Sequence, residues 1–169
     1  MSIDFAALNQ LSYGMFVVTA MDGETPVGCI ANVCAQITSQ PANVTVCLHK
    51  NNYTTQCIAK SKRVCINILD TQVDPSIIQK LGFRSGRDGY KFDGIDLTME
   101  NGLPVVSAGM AYIQGDVVEA LSVDTHTLFV VRVDNAAVLA ADAIPMTYAY
   151  YKMVIKGMTG VNSPTFRQE

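Results

Sequence analysis

The sequence predicts a mainly β domain, a closed or partly closed antiparallel barrel with a few short helices. Short, almost continuously apolar runs rich in β-branched residues alternate with frequent turn residues, and such runs are typical of strands. The 169 residues are 49% hydrophobic and 16% charged, so they can bury one core as a single domain, residues 1–169. A barrel also leaves few unpaired strand edges in so strand-rich a chain.

The first elements form a predicted β-hairpin. Residues 13–21 are the outgoing strand, residues 22–26 (DGETP) are the turn, and residues 27–33 are the returning strand. The Thr-Ser-Gln-Pro run at residues 38–41 then breaks the chain. An alternating strand follows at residues 44–49.

Two short helices are predicted in the middle of the chain. From Asn52 the apolar spacing becomes helical, with Asn52 or Thr54 as the N-cap, and residues 64–68 return to a strand. The Asp-Pro pair at residues 74–75 starts a second helix, because Asp accepts first-turn amides and Pro needs no donor there. This helix is expected to end near Gly82.

The second half is again predicted to be mainly β. Residues 111–120 and 127–133 are β-like runs separated by residues 121–126. The alanine-rich stretch 136–143 is compatible with a helical turn or with an extension of the strand. A final strand is expected at residues 147–155.

Charge and hydropathy exclude several classes of protein. The formal charge is −3 and the pI is about 5.3, so no general basic field exists to hold nucleic acid. The N-terminus lacks a basic-then-apolar leader, and no segment has the roughly 18 apolar residues that cross a bilayer. The sequence therefore predicts a cytoplasmic protein without membrane or nucleic-acid partners.

The five cysteines do not form a recognisable framework. They are odd in number, lie in the first part of the chain and include no C-x-x-C pair. With only two histidines as additional ligands, no metal site is predicted. The cysteines are interpreted as buried, reduced thiols that behave as small apolar residues; they are Cys29, Cys34, Cys47, Cys57 and Cys65.

The sequence contains few side-chain patterns that could carry out catalysis without a cofactor. The G-x-S-x-G, H-E-x-x-H, P-loop and early G-x-G-x-x-G signatures are all missing. We therefore expect an organic cofactor to supply the reactive atoms.

Two polar segments are candidates for binding a phosphate. In residues 48–54 the Lys50 ammonium, the Thr54 hydroxyl and first-turn amides could converge on one anion. In the glycine-rich loop 84–94, Arg87 offers several donors. The alternative for the first segment is an ordinary capped helix with a solvated lysine, and for the second a mobile, solvated loop.

A third candidate is the run of small residues at positions 28–39. Small side chains leave room for a flat ring to lie close to the strand, while Asn32 and Gln36 could form hydrogen bonds with ring carbonyls and nitrogens. Close packing between strands of a narrow barrel explains the same pattern. His126, at a predicted strand start, is either functional or a capping or surface residue.

The order and spacing of these segments resemble those of the flavin reductase-like family of FMN-binding split barrels. The resemblance rests on residues 28–32 (GCIAN), 36–41 (QITSQP), 50–54 (KNNYT) and 85–92 (SGRDGYKF), and it extends over residues 13–166. Within the family, flavoredoxins and the flavoprotein part of high-molecular-weight rubredoxins are the most similar.

The resemblance implies roles for individual residues. Ala31, Asn32 and the neighbouring backbone line the isoalloxazine ring, while Lys50, Asn51 and Thr54, with Ser85 and Arg87, hold the ribityl phosphate. His126 falls where many relatives carry Gly-Asp-His near the nicotinamide; here the tripeptide is Asp-Thr-His. The predicted FMN-binding residues are Cys29, Ile30, Ala31, Asn32, Val33, Gln36, Ser39, Lys50, Asn51, Tyr53, Thr54, Ser85, Arg87 and Lys91.

The resemblance also implies a function. It predicts an FMN-dependent oxidoreductase, a homodimer, in which hydride passes from NAD(P)H to bound flavin and electrons pass to an acceptor. One alternative is an electron carrier of the flavoredoxin type without direct NAD(P)H activity, served by a separate acceptor protein such as rubredoxin. Another is a non-catalytic barrel dimer that binds a phosphate-bearing ligand.

Overall fold

The structure, a computed structural model, describes residues 3–166. Over this range the chain forms nine strands, three α-helices and a 3-10 helix at Phe5–Gln10. The strands and helices are β1 (Phe16–Asp22), β2 (Thr25–Ala31), β3 (Cys34–Ser39), β4 (Ala42–His49), α1 (Tyr53–Ser61), β5 (Arg63–Leu69), α2 (Pro75–Phe83), β6 (Leu97–Glu100), β7 (Leu103–Val106), β8 (Gly109–Val123), β9 (His126–Val138) and α3 (Tyr148–Met153).

Seven strands form one antiparallel sheet in the order β2-β1-β5-β8-β9-β4-β3. The sheet curls around a core to which both of its ends contribute: Val18 and Cys29 come from β1 and β2, and Val46 and Phe129 from β4 and β9. Within residues 3–166 the two terminal strands, β2 and β3, are not paired with each other. The mainly β, partly closed barrel predicted from the sequence is confirmed.

A second core lies outside the barrel, under α2 and α3. Ile77, Ile78 and Leu81 of α2 are buried against Met15 and Leu69 of the sheet. Asp74 accepts a hydrogen bond from the Ser76 amide at 2.9 Å, and proline occupies the first helical turn, as predicted. This packing brings the C-terminal end of α2 next to the end of β2.

The predicted strand at residues 147–155 is wrong, because Tyr148–Met153 is the helix α3. The Thr147 hydroxyl caps it by accepting a hydrogen bond from the Tyr150 amide at 3.0 Å. Tyr148 and Tyr151, three residues apart, share the face that packs on the second core. Tertiary packing of these rings outweighs the strand preference of tyrosine.

Other element predictions need smaller corrections. The segment 121–126 does not separate two strands, since β8 extends to Val123 and only Asp124 and Thr125 form the turn. The alanine-rich stretch begins as an extension of β9, which ends at Val138. Strand β3 and the β6–β7 hairpin were not predicted. Among the described residues no helix is both long and apolar enough to cross a bilayer.

Candidate functional site

One cavity of about 600 Å³ lies at the end of the barrel. Its volume is within the range of small-molecule and cofactor sites, roughly 300–1,000 Å³. Five parts of the chain supply most of its lining: the end of β2 with Asn32, the β4–α1 junction, the C-terminal part of α2 with the loop that follows, the helix α3, and the segment 158–164.

The β4–α1 junction is organised around His49. Its carbonyl oxygen accepts hydrogen bonds from the Asn52 amide at 3.0 Å and from the Thr55 hydroxyl at 2.9 Å. Its ring Nδ1 accepts the Asn51 amide at 3.0 Å. Within the described chain the side chain of Asn52, the N-cap residue, makes no capping bond to α1, although the Asn52 carbonyl oxygen accepts the Thr55 amide at 3.1 Å.

The loop after α2 is closed by Lys91. Its ammonium donates to the carbonyl oxygens of Leu81 at 2.7 Å and Arg84 at 2.9 Å, and the side chain is 8% exposed. The next residue, Phe92, is buried against Gly28, where an added Cβ would lie 2.7 Å from the Phe92 ring. These contacts hold the loop against the wall formed by β2.

Two polar turns predicted to bind one phosphate meet in the structure. The Arg87 guanidinium donates to the Asn51 carbonyl oxygen at 2.9 Å and lies over the Tyr53 ring, 5.3 Å from its centre. Gly86 packs against the same ring, since a Cβ added there would lie 3.0 Å from the Tyr53 ring. The Tyr53 hydroxyl donates to Asp22, which raises the pKa of Tyr53 to about 12. Tyr53 therefore forms a fixed platform under Arg87.

The wall contributed by β2 combines thiol and amide groups. Burial raises the pKa of the Cys29 thiol, and the nearby Lys91 ammonium and Thr54 hydroxyl oppose this effect. Burial in turn lowers the pKa of Lys91. The Asn32 side chain is 5% exposed and donates to the Thr165 hydroxyl at 3.1 Å. Cys29 and Asn32 both line the cavity.

Ten of the fifteen predicted site residues line this one cavity. They are Cys29, Ile30, Ala31, Asn32, Asn51, Tyr53, Thr54, Ser85, Arg87 and Lys91. Lys91, predicted as a phosphate ligand, uses two of its three donors on the carbonyl groups that close the loop. Its placement favours a role in shaping the loop.

Five predicted residues lie outside the cavity lining. Val33 is half-buried and its carbonyl oxygen accepts the Cys47 amide. Gln36 and Ser39 lie on the exposed edge strand β3, where the Gln36 amide donates to the Thr38 carbonyl oxygen. The Lys50 ammonium donates to the Asp124 carbonyl oxygen in the β8–β9 turn, because pairing of β4 with β9 brings that turn alongside.

The fifth residue, His126, stands behind His49 rather than in the cavity wall. The two rings meet edge to face at 4.9 Å, because the residues are paired across β4 and β9. His126 Nδ1 is 2.8 Å from the Thr125 hydroxyl, and the buried Nε2 has no well-aligned partner within residues 3–166. Burial and the neighbouring His49 lower the pKa of His126, while the Asn162 backbone opposes them.

The sequence reasoning missed a whole wall of the cavity. Residues 158–164 line it, together with Tyr148 and Tyr151 of α3. This part of the chain is rich in Gly, Asn, Ser and Pro, which by composition is an ordinary loop. The one available signal was that the family resemblance extended into the sequence Ser-Pro-Thr-Phe at residues 163–166.

The cysteines are reduced in the structure, and most are shielded. Burial raises the pKa of Cys34 to about 12 and that of Cys65 to about 11. Among residues 3–166 no three His, Cys, Asp or Glu side chains are grouped so that they could hold a metal ion.

The fold and the cavity define a class of protein: an antiparallel β-barrel with a cofactor-sized site that is lined by small residues and by cationic and amide donors. A family model described as "Flavin reductase like domain" matches residues 8–156. The chain belongs to this flavin reductase-like family of oxidoreductases, and the predicted family is confirmed.

Individual relatives agree with this assignment. The chain is 38% identical to a high molecular weight rubredoxin of Moorella thermoacetica, with 97% of this chain and 72% of that protein covered. It is 36% identical to a ferric-chelate reductase (NAD(P)H) of Archaeoglobus fulgidus, covering 93% and 94%. The solved NADH:FAD oxidoreductase of Streptomyces globisporus shares the fold, with a TM-score of 0.77 at 18% identity and coverage of 87% and 91%.

The histidine pair leads to a prediction about pH. Burial and like charge both disfavour protonated His126, so its ring should titrate below the ordinary value of 6.5. The unfolded chain takes up this proton at higher pH, so the free energy of unfolding should decrease as the pH falls below about 6.5. NMR titration of the ring protons measures the pKa directly. In His49→Gln it should rise but stay below 6.5, whereas an unchanged value would exclude coupling between the rings.

Proposed function

We propose that this protein is an FMN-dependent oxidoreductase that takes hydride from NAD(P)H and passes electrons to an acceptor. The observation that carries the proposal is the meeting of the 50–54 and 84–91 segments at one cavity that is also lined by the small residues at the end of β2. When bound, FMN would supply the redox chemistry. The chain's own residues would bind, orient and shield it.

The phosphate of FMN finds suitable donors where the two turns meet. Arg87 spends one donor on Asn51, so further guanidinium N–H groups are available for an anion. The Ser85 oxygen accepts the Arg87 amide at 3.2 Å, which leaves its hydroxyl proton free to donate. Amides at the start of α1 add their partial positive charge. These local donors compensate for the net negative charge of the chain.

The ring system of FMN would lie against the end of β2. Ala31 presents only a methyl group there, and the Asn32 amide lies beside it at the cavity surface. Both residues were predicted for this role. Hydride transfer requires close approach of donor and acceptor, so a flat wall that holds the ring in one orientation lowers the entropic part of the barrier.

The donor and acceptor are proposed from the relatives. One relative is named a ferric-chelate reductase (NAD(P)H), which supports a nicotinamide nucleotide as the electron donor. Another is named a high molecular weight rubredoxin, which supports a separate rubredoxin-like protein as the acceptor. The rubredoxin name is also compatible with the alternative function, an electron carrier that is reduced by another protein.

A homodimer is part of the proposal. The Val117 amide donates to the Lys62 carbonyl oxygen, but beyond it β8 is paired with β9 alone, so one edge of residues 118–123 has no strand beside it within the described chain. Leu121 and Val123 on this stretch are 60% and 47% exposed.

Sedimentation analysis should give a dimer, and Leu121→Glu should shift the protein toward monomer, because it places a charge on this exposed apolar edge. A monomeric native protein would contradict the proposal.

The phosphate site leads to a prediction about ligand selectivity. Arg87→Ala should weaken FMN binding about 10- to 100-fold, as expected for loss of charge-assisted hydrogen bonds, while riboflavin affinity changes by less than about threefold. Tyr53→Leu removes the platform, so it should also reduce the preference for FMN over riboflavin. Fluorescence titration measures both affinities.

Two controls sharpen this experiment. Lys60→Ala removes an exposed cation of α1 that is absent from the cavity lining and should leave both affinities unchanged. Equal losses of FMN and riboflavin affinity in Arg87→Ala would indicate general damage to the site and would argue against a phosphate contact. In the double variant of Tyr53 and Arg87, the losses should be less than additive because the two side chains act together.

The electron route is tested on the FMN-loaded protein. Stopped-flow mixing with NADH and, separately, with NADPH should bleach the visible flavin absorbance at a rate that saturates with nucleotide concentration. Absence of bleaching with both nucleotides, followed by rapid bleaching with a reduced protein carrier, would favour the electron-carrier alternative. Failure to bind any flavin would leave only the non-redox ligand-binding alternative.

A further inference from the structure

The segment after α3 runs across three of the elements that build the cavity. Residues 158–164 line it, and hydrogen bonds of residues 158–165 connect the segment successively to α3, to the start of α1 and to the end of β2. We call residues 158–165 the covering segment.

The covering segment is first attached beside α3. The Tyr151 hydroxyl donates to the Met158 carbonyl oxygen at 3.0 Å, and the Tyr148 hydroxyl is hydrogen-bonded to the Thr159 hydroxyl. Gly160 follows next to α2, where an added Cβ would lie 3.5 Å from the Gly82 carbonyl oxygen. The segment therefore begins at the α2 and α3 side of the cavity.

Its far end is attached to the start of α1 and to the end of β2. The Asn162 amide donates to the Asn52 side-chain oxygen at 3.1 Å, at the N-cap of α1. The Asn32 amide donates to the Thr165 hydroxyl at 3.1 Å, and a turn hydrogen bond between Ser163 and Thr165 supports this arrangement. Asn52 is thus occupied by the covering segment, which is consistent with its unused capping role in α1.

The covering segment does not fill the cavity. The volume of about 600 Å³ remains with the segment in place, so a ligand of cofactor size fits beneath it. Few apolar side chains tie the segment down, because Met158 and Val161 are 72% and 71% exposed. Its position depends mainly on the four hydrogen bonds to the walls, and such a segment opens at lower cost than the core.

We propose that the covering segment retains the flavin, so that this chain keeps FMN as a resident cofactor and does not release reduced flavin as a diffusible product. This inference rests on the proposed function and adds to it the status of the flavin. Entry and exit of FMN require Asn162 to leave Asn52 and Thr165 to leave Asn32. Electrons must then leave through the bound flavin to an acceptor that docks from outside.

The test compares wild type with the double variant Asn162→Ala, Thr165→Val, which removes both far attachments. Stopped-flow fluorescence on mixing with FMN measures the association rate, and dilution of the loaded protein measures the dissociation rate. A covering segment that is open more often admits and releases ligand more often. Both rates should therefore rise, about tenfold each, while the dissociation constant changes by less than about threefold.

Matched controls separate gating from other effects. Met153→Ala, on the exposed face of α3 and outside the cavity lining, should leave both rates unchanged. Riboflavin should show the same rise in both rates, because the segment does not select for phosphate. In wild type, nucleotide oxidation with a protein acceptor should saturate at one FMN per chain.

The outcomes are distinct. A rise in the dissociation rate alone would make Asn162 and Thr165 simple ligand contacts and overturn the gating role. FMN release by wild type that outpaces its turnover would overturn retention, while the proposed oxidoreductase function would stand. If neither protein binds FMN, both the proposed function and the retention of flavin fail together.

Discussion

The cavity depends on one buried cation. Lys91 is held against the carbonyl oxygens of Leu81 and Arg84, where the last turn of α2 leaves acceptors without intrahelical partners. Burial of an ammonium is costly unless its donors are used, so these two bonds fix the loop as well as stabilise the charge. Once the loop is closed, Arg87 is directed to the β4–α1 junction and Tyr53 lies under it.

The site is thus assembled at the place where several chain segments end. Strands β2 and β4 and helices α1 and α2 all present loops or termini to one end of the barrel, and these are the positions at which polar backbone groups remain available. The rigid barrel carries the walls, while the covering segment is held by hydrogen bonds and exposes its apolar side chains. This division allows a tightly built site with one movable side.

Much of the site was predictable because its residues are local in sequence. Cys29–Asn32 lie at the end of one strand, and Asn51–Thr54 span one strand-to-helix junction, so each segment carries its own signal. Lys50 and His126 differ: their surroundings are decided by the pairing of β4 with β9, which brings residues as far apart in sequence as His49 and His126 side by side. No local pattern reports such a pairing.

The sequence by itself determined the mainly β class, the β1–β2 hairpin and the starts of α1 and α2, since turn chemistry, capping and β-branched runs are local properties. Tertiary structure alone decided that Tyr148–Met153 is a helix and that residues 158–165 cover a cavity. In both cases the deciding free energy comes from contacts with distant elements: tyrosine rings on the second core, and side-chain hydrogen bonds with Asn32 and Asn52. Only the folded chain brings those partners together.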